Sequence, residues 1–333
     1  ILVTTKEGEE GKIKINVRYE KSSSMPTQMI DIADPITYMQ LHNEAVLTRD
    51  PLGGRVYSMD KIKMTQQPHR NEMVYPAVNW TEEMFTNYSL NDRFNFSANG
   101  GGKVARYYLA ATYNSDNGIL KVDKRNNFNN NVKFNRISLR SNININATES
   151  TEIIVRFNSN FDDYKGPIDG GETLFRKALQ TNPVLYAPYY EPDLNNQNTK
   201  HILFGNAGRD ANYLNPYADM VKGYKDESRS AIMATVELKQ NLDFITKGLS
   251  ARIMGNTTRH SFYNVSRAYK PYYYSLGSYD PQLNRYTLTE LNPDDGTQYL
   301  EYAEGNKEIS TSTYFEGAIN YNQSFDEKHT ISG

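Results

Sequence analysis

The stretch RISLRSNININA, residues 136–147, alternates polar and apolar side chains along almost its whole length. Its apolar side chains are Ile137, Leu139, Ile143, Ile145 and Ala147, and its polar side chains include Arg136, Arg140, Asn142 and Asn144. A period of two residues is the period of a β-strand, in which successive side chains point to opposite faces. The stretch therefore predicts a strand with one apolar face and one polar face.

The same alternation recurs along the chain. Further runs cover residues 93–99, 106–113, 152–162, 232–239 and 315–322. Each run is about 9 to 12 residues long with its flanks, which is the length that a tilted strand needs to cross a bilayer. In the run 152–162, Arg156 and Asn158 share the polar face.

The connections between these runs alternate between short and long. Short turns are predicted at residues 99–103, 147–151, 243–248 and 326–329, and long connections at 25–86, 114–135, 163–226 and 267–307. This asymmetry is typical of outer-membrane barrels, which have tight periplasmic turns and long external loops. We therefore predict an all-β fold, an antiparallel transmembrane β-barrel with long external loops.

Two helices are predicted inside the long connections. Asp34 is placed to cap a helix that has Pro35 at its first position and continues past Leu41. Residues 173–179 form a second, shorter candidate that ends near Pro183.

The composition excludes several classes of protein. The chain of 333 residues has a net charge of -2, no cysteine and 26 tyrosines, and its mean hydropathy is -0.72. The near-neutral charge gives no basic field for nucleic acid, and the lack of cysteine excludes a disulfide scaffold and thiolate chemistry. No run approaches the roughly 20 apolar residues of a membrane-spanning helix. Barrel strands remain compatible with this hydropathy, because only every second residue is apolar.

Several segments, in order, resemble the SusC/RagA type of TonB-dependent outer-membrane transporter. The matching segments are ILVTTKEG at 1–8, YPAVNWTEEMF at 75–85, FSANGG at 96–101, YYLAATY at 107–113, NGIL at 117–120 and RISLRSNI at 136–143. Asn79 stands where the family usually has Asp. The resemblance implies that residues 1–10 are the C-terminal end of a plug domain. Residues 11–333 would then be the N-terminal part of a large, plugged barrel.

The resemblance also implies a function. It implies TonB-dependent import of oligosaccharides, or of peptides in some members, across the outer membrane of a Gram-negative bacterium. The implied partners are a SusD-like surface lipoprotein that acts as a lid, TonB, and outer-membrane lipid. Rival hypotheses are another class of TonB-dependent receptor, a soluble carbohydrate-binding β-sandwich or adhesin, and an enzyme on a β-scaffold. No cofactor is expected, and no catalytic constellation is recognised.

Two groups of residues are candidates for the functional site. Tyrosines in the long connections could contact substrate, or could instead form an interfacial girdle or a partner contact: Tyr186, Tyr189, Tyr190, Tyr272, Tyr273 and Tyr274. Polar residues of the predicted strands could face the lumen or pack on the plug: Arg136, Arg140, Asn142, Asn144, Arg156 and Asn158.

No metal site is predicted. The five histidines lack ligand spacing. Asp162, Asp163 and Asp169 could bind calcium through oxygen ligands, but their spacing fits no EF-hand loop, so a solvated loop is favoured. The Gly-rich residues 99–103 are better explained as a hairpin turn than as a phosphate loop.

Overall fold

The computed structural model describes residues 6–28, 30–208, 214–325 and 329–333. The strands are β1 (Gly11–Ser24), β2 (Ser89–Gly101), β3 (Ala105–Asn117), β4 (Lys133–Asn146), β5 (Thr151–Gly166), β6 (Tyr189–Tyr190), β7 (Leu203–Gly205), β8 (Gly223–Asn241), β9 (Leu249–Ala268), β10 (Tyr273–Asp280), β11 (Arg285–Glu290), β12 (Glu301–Phe325) and β13 (His329–Ser332). The helices are α1 (Pro35–Arg49), α2 (Met59–Gln66), α3 (Trp80–Met84), α4 (Gly171–Gln180) and α5 (Pro216–Val221). No helix within these residues combines the length and the apolar character needed to span a membrane.

A nine-stranded antiparallel sheet dominates the fold, with the strand order β1-β2-β3-β4-β5-β8-β9-β12-β13. Consecutive strands of this sheet are neighbours, except where β6, β7, β10 and β11 form a separate four-stranded sheet inside the connections. The predicted all-β fold with a large antiparallel sheet is confirmed.

The register places apolar side chains in continuous rows across the strands. One row runs from Ile143 through Val155, Val236 and Gly255 to Phe315. A Cβ atom on Gly255 would lie 3.2 Å from the Phe315 ring, so the ring occupies the space that a side chain at Gly255 would need.

This apolar face is exposed rather than buried. Val236 is 54% exposed, Ile253 63% and Phe315 77%. A water-soluble sheet normally covers such a face with a second layer, whereas large exposed apolar patches mark contact with a membrane or a partner.

The strands are longer than predicted. They were expected to span about 9 to 12 residues, but β8, β9 and β12 contain 19, 20 and 25 residues. The additional residues lie towards the long connections, where positions on the apolar face become polar, as at Asp163 and Lys165. The side-chain alternation therefore marks only part of each strand, because backbone pairing continues beyond the apolar band.

The connections agree with the predicted asymmetry. Tight turns join β2 to β3, β4 to β5 and β8 to β9, while residues 326–328 of the fourth predicted turn lie outside the described residues. Asp34 caps α1 by accepting hydrogen bonds from the backbone N–H groups of Ile36 (2.9 Å) and Thr37 (3.1 Å). The second predicted helix is also present, as α4. Helices α2, α3 and α5 and the four-stranded sheet were not predicted.

The long connections pack together into what we call the loop layer, comprising residues 75–88, 118–132, 167–208, 214–222 and 269–300. Its hydrophobic core joins all four long connections: Trp80 and Met84 come from the first, Leu120 from the second, Leu174 from the third and Tyr273 from the fourth. The principal buried core of the described chain therefore lies in the connections, at one end of the sheet.

Leu174→Ala tests this core. Leu174 is 0% exposed, so we expect its truncation to lower the free energy of unfolding by about 2–5 kcal/mol, because contacts are lost and a cavity is left. Hydrogen exchange of α4 and the thermal midpoint would report the loss. Leu52→Ala is the matched control, because Leu52 is 98% exposed and its truncation should leave both values unchanged. Equal effects of the two variants would contradict a shared core in the loop layer.

Candidate functional site

The predicted lumen-facing residues come together on the polar face of the sheet. The register pairs Arg136 with Asp162, Arg140 with Asn158, and Asn142 with Arg156. Arg136 donates to both carboxylate oxygens of Asp162, at 2.7 and 2.8 Å. Their shared face follows directly from the period of two. Their role in a lumen stays a prediction.

The segment formed by residues 6–10, which precedes β1, lies across this polar face. The Asn142 side-chain amide donates to the backbone carbonyl of Lys6, and Arg156 pairs with Glu7 at 3.1 Å. The backbone N–H of Glu9 donates to Asn99 Oδ1 at 3.0 Å. A Cβ atom on Gly8 would lie 2.2 Å from the backbone nitrogen of Tyr107, so only glycine permits this approach.

A buried carboxylate organises the charges beside this segment. The Glu237 side chain is 6% exposed and lies 3.5 Å from Arg156, 3.8 Å from Lys239 and 3.7 Å from Arg252. Arg252 also pairs with Glu316 on β12. A buried charge is costly unless it is paired, so these cations together offset the cost of burying the Glu237 carboxylate. Arg156 thus connects the sheet network to Glu7 of the crossing segment.

Arg156→Met should loosen residues 6–10. The pair with the half-exposed Glu7 is worth about 1 kcal/mol or less, which corresponds to at most a roughly fivefold change in the detached population. Hydrogen exchange of the peptide that contains residues 6–10 would measure this change. Arg136→Met is the control, since Arg136 occupies the same face but binds Asp162 instead. Unchanged exchange in Arg156→Met would show that the pair does not hold the segment.

The tyrosine candidates lie in the loop layer, and most are covered. Tyr186, Tyr190, Tyr273 and Tyr274 are between 2% and 7% exposed. Tyr186 donates its hydroxyl hydrogen to the backbone carbonyl of Leu214. These four rings contribute to the hydrophobic clusters of the loop layer, a role that the sequence did not indicate.

The other two candidates are partly exposed, but their rings already have partners. The Tyr189 ring lies 3.8 Å from the guanidinium of Arg125 and 5.4 Å from the Tyr217 ring. The Tyr272 ring stacks on His201 at 4.0 Å, and a Cβ atom on Gly296 would lie 2.3 Å from its ring carbons. Contact of these tyrosines with substrate stays a prediction, and the observed geometry favours a structural role.

Burial raises the pKa of the phenols of Tyr186, Tyr190, Tyr217 and Tyr273 well above the ordinary value of 10.0. Desolvation of the phenolate is the main cause. A phenol with a raised folded-state pKa stabilises the fold fully below the unfolded pKa, and this contribution disappears as the pH rises through the folded pKa.

We therefore expect the loop layer to lose stability as the pH increases above about 10. A tyrosinate absorbance titration should show the four buried phenols ionising together with unfolding of the loop layer. Gradual ionisation of all tyrosines without loss of structure would contradict their burial.

An ion-pair cluster not found from the sequence joins α4 to α5. Lys177 and Lys222 each contact Asp169 and Asp219, with Nζ–O distances of 3.0 Å for Lys177–Asp169 and 2.8 Å for Lys222–Asp219. Lys222 follows α5 directly, while Asp169 precedes α4. No sequence motif marks this cluster, because its members are up to 53 positions apart.

Two of the three aspartates considered as calcium ligands have other partners. Asp162 binds Arg136, and Asp169 binds the two lysines of the α4–α5 cluster. Across the part of the chain that the structure describes, no group of three or more His, Cys, Asp or Glu side chains could hold a metal ion.

Comparison with known proteins shows the fold but no close relative. No protein-family model matches the chain, and no curated protein matches it. Among solved structures, a chain in the structure of the RagAB peptide transporter superposes with a TM-score of 0.62 at 14% identity. The RagAB peptide importer gives TM-scores of 0.61 in its "open-open" state and 0.60 in its "closed-closed" state. Each match covers 98% of this chain but 34% of the other, so this chain spans about a third of their length. This chain therefore has the fold of a segment of the RagAB chains that it matches.

Proposed function

We propose that this chain is part of the barrel of a TonB-dependent outer-membrane importer. The observation that carries the proposal is a nine-stranded antiparallel sheet with one exposed apolar face and one polar face crossed by an upstream segment. The likeness in fold to the RagAB chains supports it. In the proposal, the sheet continues into a closed barrel, the apolar face contacts lipid, and the polar face lines the lumen.

Residues 6–10 are then the end of a plug, and β1 begins the barrel at Gly11. Force from TonB would act on chain upstream of this segment. The pairing of Glu7 with Arg156 would have to yield or remain as an anchor when the plug moves. Because Glu7 is half-exposed, the pair offers modest resistance, as suits a contact that is broken and remade.

The proposed cargo is an oligosaccharide or a peptide, with a SusD-like lipoprotein as lid on the loop layer. The matched structures are described as peptide transporters, which favours the peptide. The shared core of the long connections would give the lid an ordered surface. We propose no enzymatic activity.

A soluble carbohydrate-binding β-sandwich is the main rival. It requires a second layer over the apolar face, whereas Val236, Ile253 and Phe315 are all more than half exposed. A sandwich would also expose fewer apolar residues on one continuous face.

The test is membrane partitioning of the native full-length protein, combined with two variants. Val236→Arg puts a charge on the apolar face. At mid-bilayer this should destabilise the folded barrel by about 2–4 kcal/mol and so lower its recovery in the outer-membrane fraction. Met233→Arg is the control, because Met233 is similarly exposed at 42% but lies on the polar face. Mass spectrometry of the material purified in mild detergent should find a surface lipoprotein and bound cargo.

Recovery of the wild type as a soluble monomer without detergent would refute the barrel. Equal recovery of the two variants would refute the assignment of the faces.

A further inference from the structure

Helix α2 carries a lysine that faces a cavity in the connections. The cavity has a volume of about 820 Å³, and Lys61 lines it together with Tyr57, Leu185, Tyr186 and Leu276. The first, third and fourth long connections all contribute to its wall. The α1–α2 hairpin is attached beside it by a small cluster in which Met39, Tyr57 and Ile62 pack against Val184.

The Lys61 ammonium uses only part of its hydrogen-bonding capacity within the protein. Its Nζ donates one hydrogen bond, to the backbone carbonyl of Val184 at 2.9 Å, and lies 5.6 Å from the centroid of the Tyr57 ring. An ammonium has three N–H donors. Burial lowers the pKa of Lys61, and among the described residues it has no salt bridge. Placing an anion beside it would restore the solvation that burial has removed.

The other charges on the wall compensate one another. The remaining charged side chains among the described lining residues are Lys177 and Asp219, which pair within the α4–α5 cluster. Lys61 therefore leaves the described wall with one uncompensated positive charge. The uncharged part of the wall is mixed. Val56, Leu185 and Leu276 flank the tyrosines, and amide and hydroxyl side chains such as Gln180, Asn182 and Ser275 lie among them.

We propose that this cavity binds the terminal carboxylate of a short peptide, with Lys61 as its ion-pair partner. A compact ammonium suits a carboxylate, and a wall that mixes apolar and aromatic side chains with amide groups suits the alternating side chains and amide groups of a peptide. The inference rests on the proposed importer function for the source of the peptide. It deepens that function by choosing peptide over oligosaccharide.

The test measures binding to the full-length protein in detergent by calorimetry. The probes are tetra-alanine with a free C-terminus, the same peptide as its C-terminal amide, and trigalacturonate as an acidic sugar. We expect the wild type to bind the free acid at least tenfold more tightly than the amide. Lys61→Met should abolish this preference. Lys63→Met is the matched control, because Lys63 is an exposed lysine of the same helix, and it should retain the preference.

Equal binding of acid and amide by the wild type would overturn the proposal, and this comparison needs no variant to fold. A thermal midpoint for Lys61→Met confirms that its loss of preference is not a loss of structure. Preference retained in a folded Lys61→Met would also overturn it. Tight binding of trigalacturonate with no binding of tetra-alanine would overturn the peptide assignment.

Membrane partitioning distinguishes a failure of this proposal from a failure of the proposed importer function. Protein recovered in the outer membrane without the acid preference would refute the cavity assignment alone. Soluble protein that keeps the preference would refute the importer and leave the cavity assignment standing.

Discussion

The register of the nine-stranded sheet is the constraint on which the rest of the structure depends. Antiparallel pairing fixes which side chains face each way, and a slip of one residue would exchange the two faces of a strand. In the observed register, Val155, Val236 and Phe315 share the apolar face, while Arg156 and Glu237 share the other. A slip of β8 would turn Glu237 out to the apolar face and leave Arg156 without its buried partner. Packing and electrostatics therefore select the same register.

The sheet and the loop layer are stabilised in different ways. The sheet has extensive backbone pairing, but its apolar face is exposed. Among the described residues, no second layer covers this face to form a hydrophobic core. The loop layer has short helices and strands but a compact core formed by distant segments. Long connections without secondary structure of their own are uncommon in compact domains. Here they supply most of the buried apolar side chains, which makes the end of the sheet that bears them a distinct packed unit.

The regular part of the fold could be predicted from the sequence, because its rules are local. The alternation at residues 136–147 identifies β4, and Asp34 followed by Pro35 marks the start of α1. The loop layer could not be predicted in this way, because its contacts join positions far apart in the chain. The Trp80 indole N–H donates to the carbonyl of Asn182, 102 positions away. Val78 N–H donates to the neighbouring Pro183 carbonyl at 2.8 Å.

The candidate site shows the same division. The polar face follows from the period of two, but the contact of Arg156 with Glu7 spans 149 positions and has no motif. The tyrosines are conspicuous in the sequence, yet nothing local shows that other connections cover Tyr190 and Tyr274. Likewise, Lys61 resembles Lys63 in the sequence, and only the fold distinguishes the half-buried amine from the exposed one.

The common core of the long connections has a consequence for association. A flexible loop must be ordered when another molecule docks on it, and that ordering weakens binding by roughly 0.5–1.5 kcal/mol for each immobilised side chain. Where Trp80, Leu174 and Tyr273 already hold segments from three connections in one cluster, much of this ordering has been completed during folding. A molecule that docks on this layer therefore meets a preorganised surface. Its affinity can come from a modest contact area, and its release need not wait for the connections to rearrange.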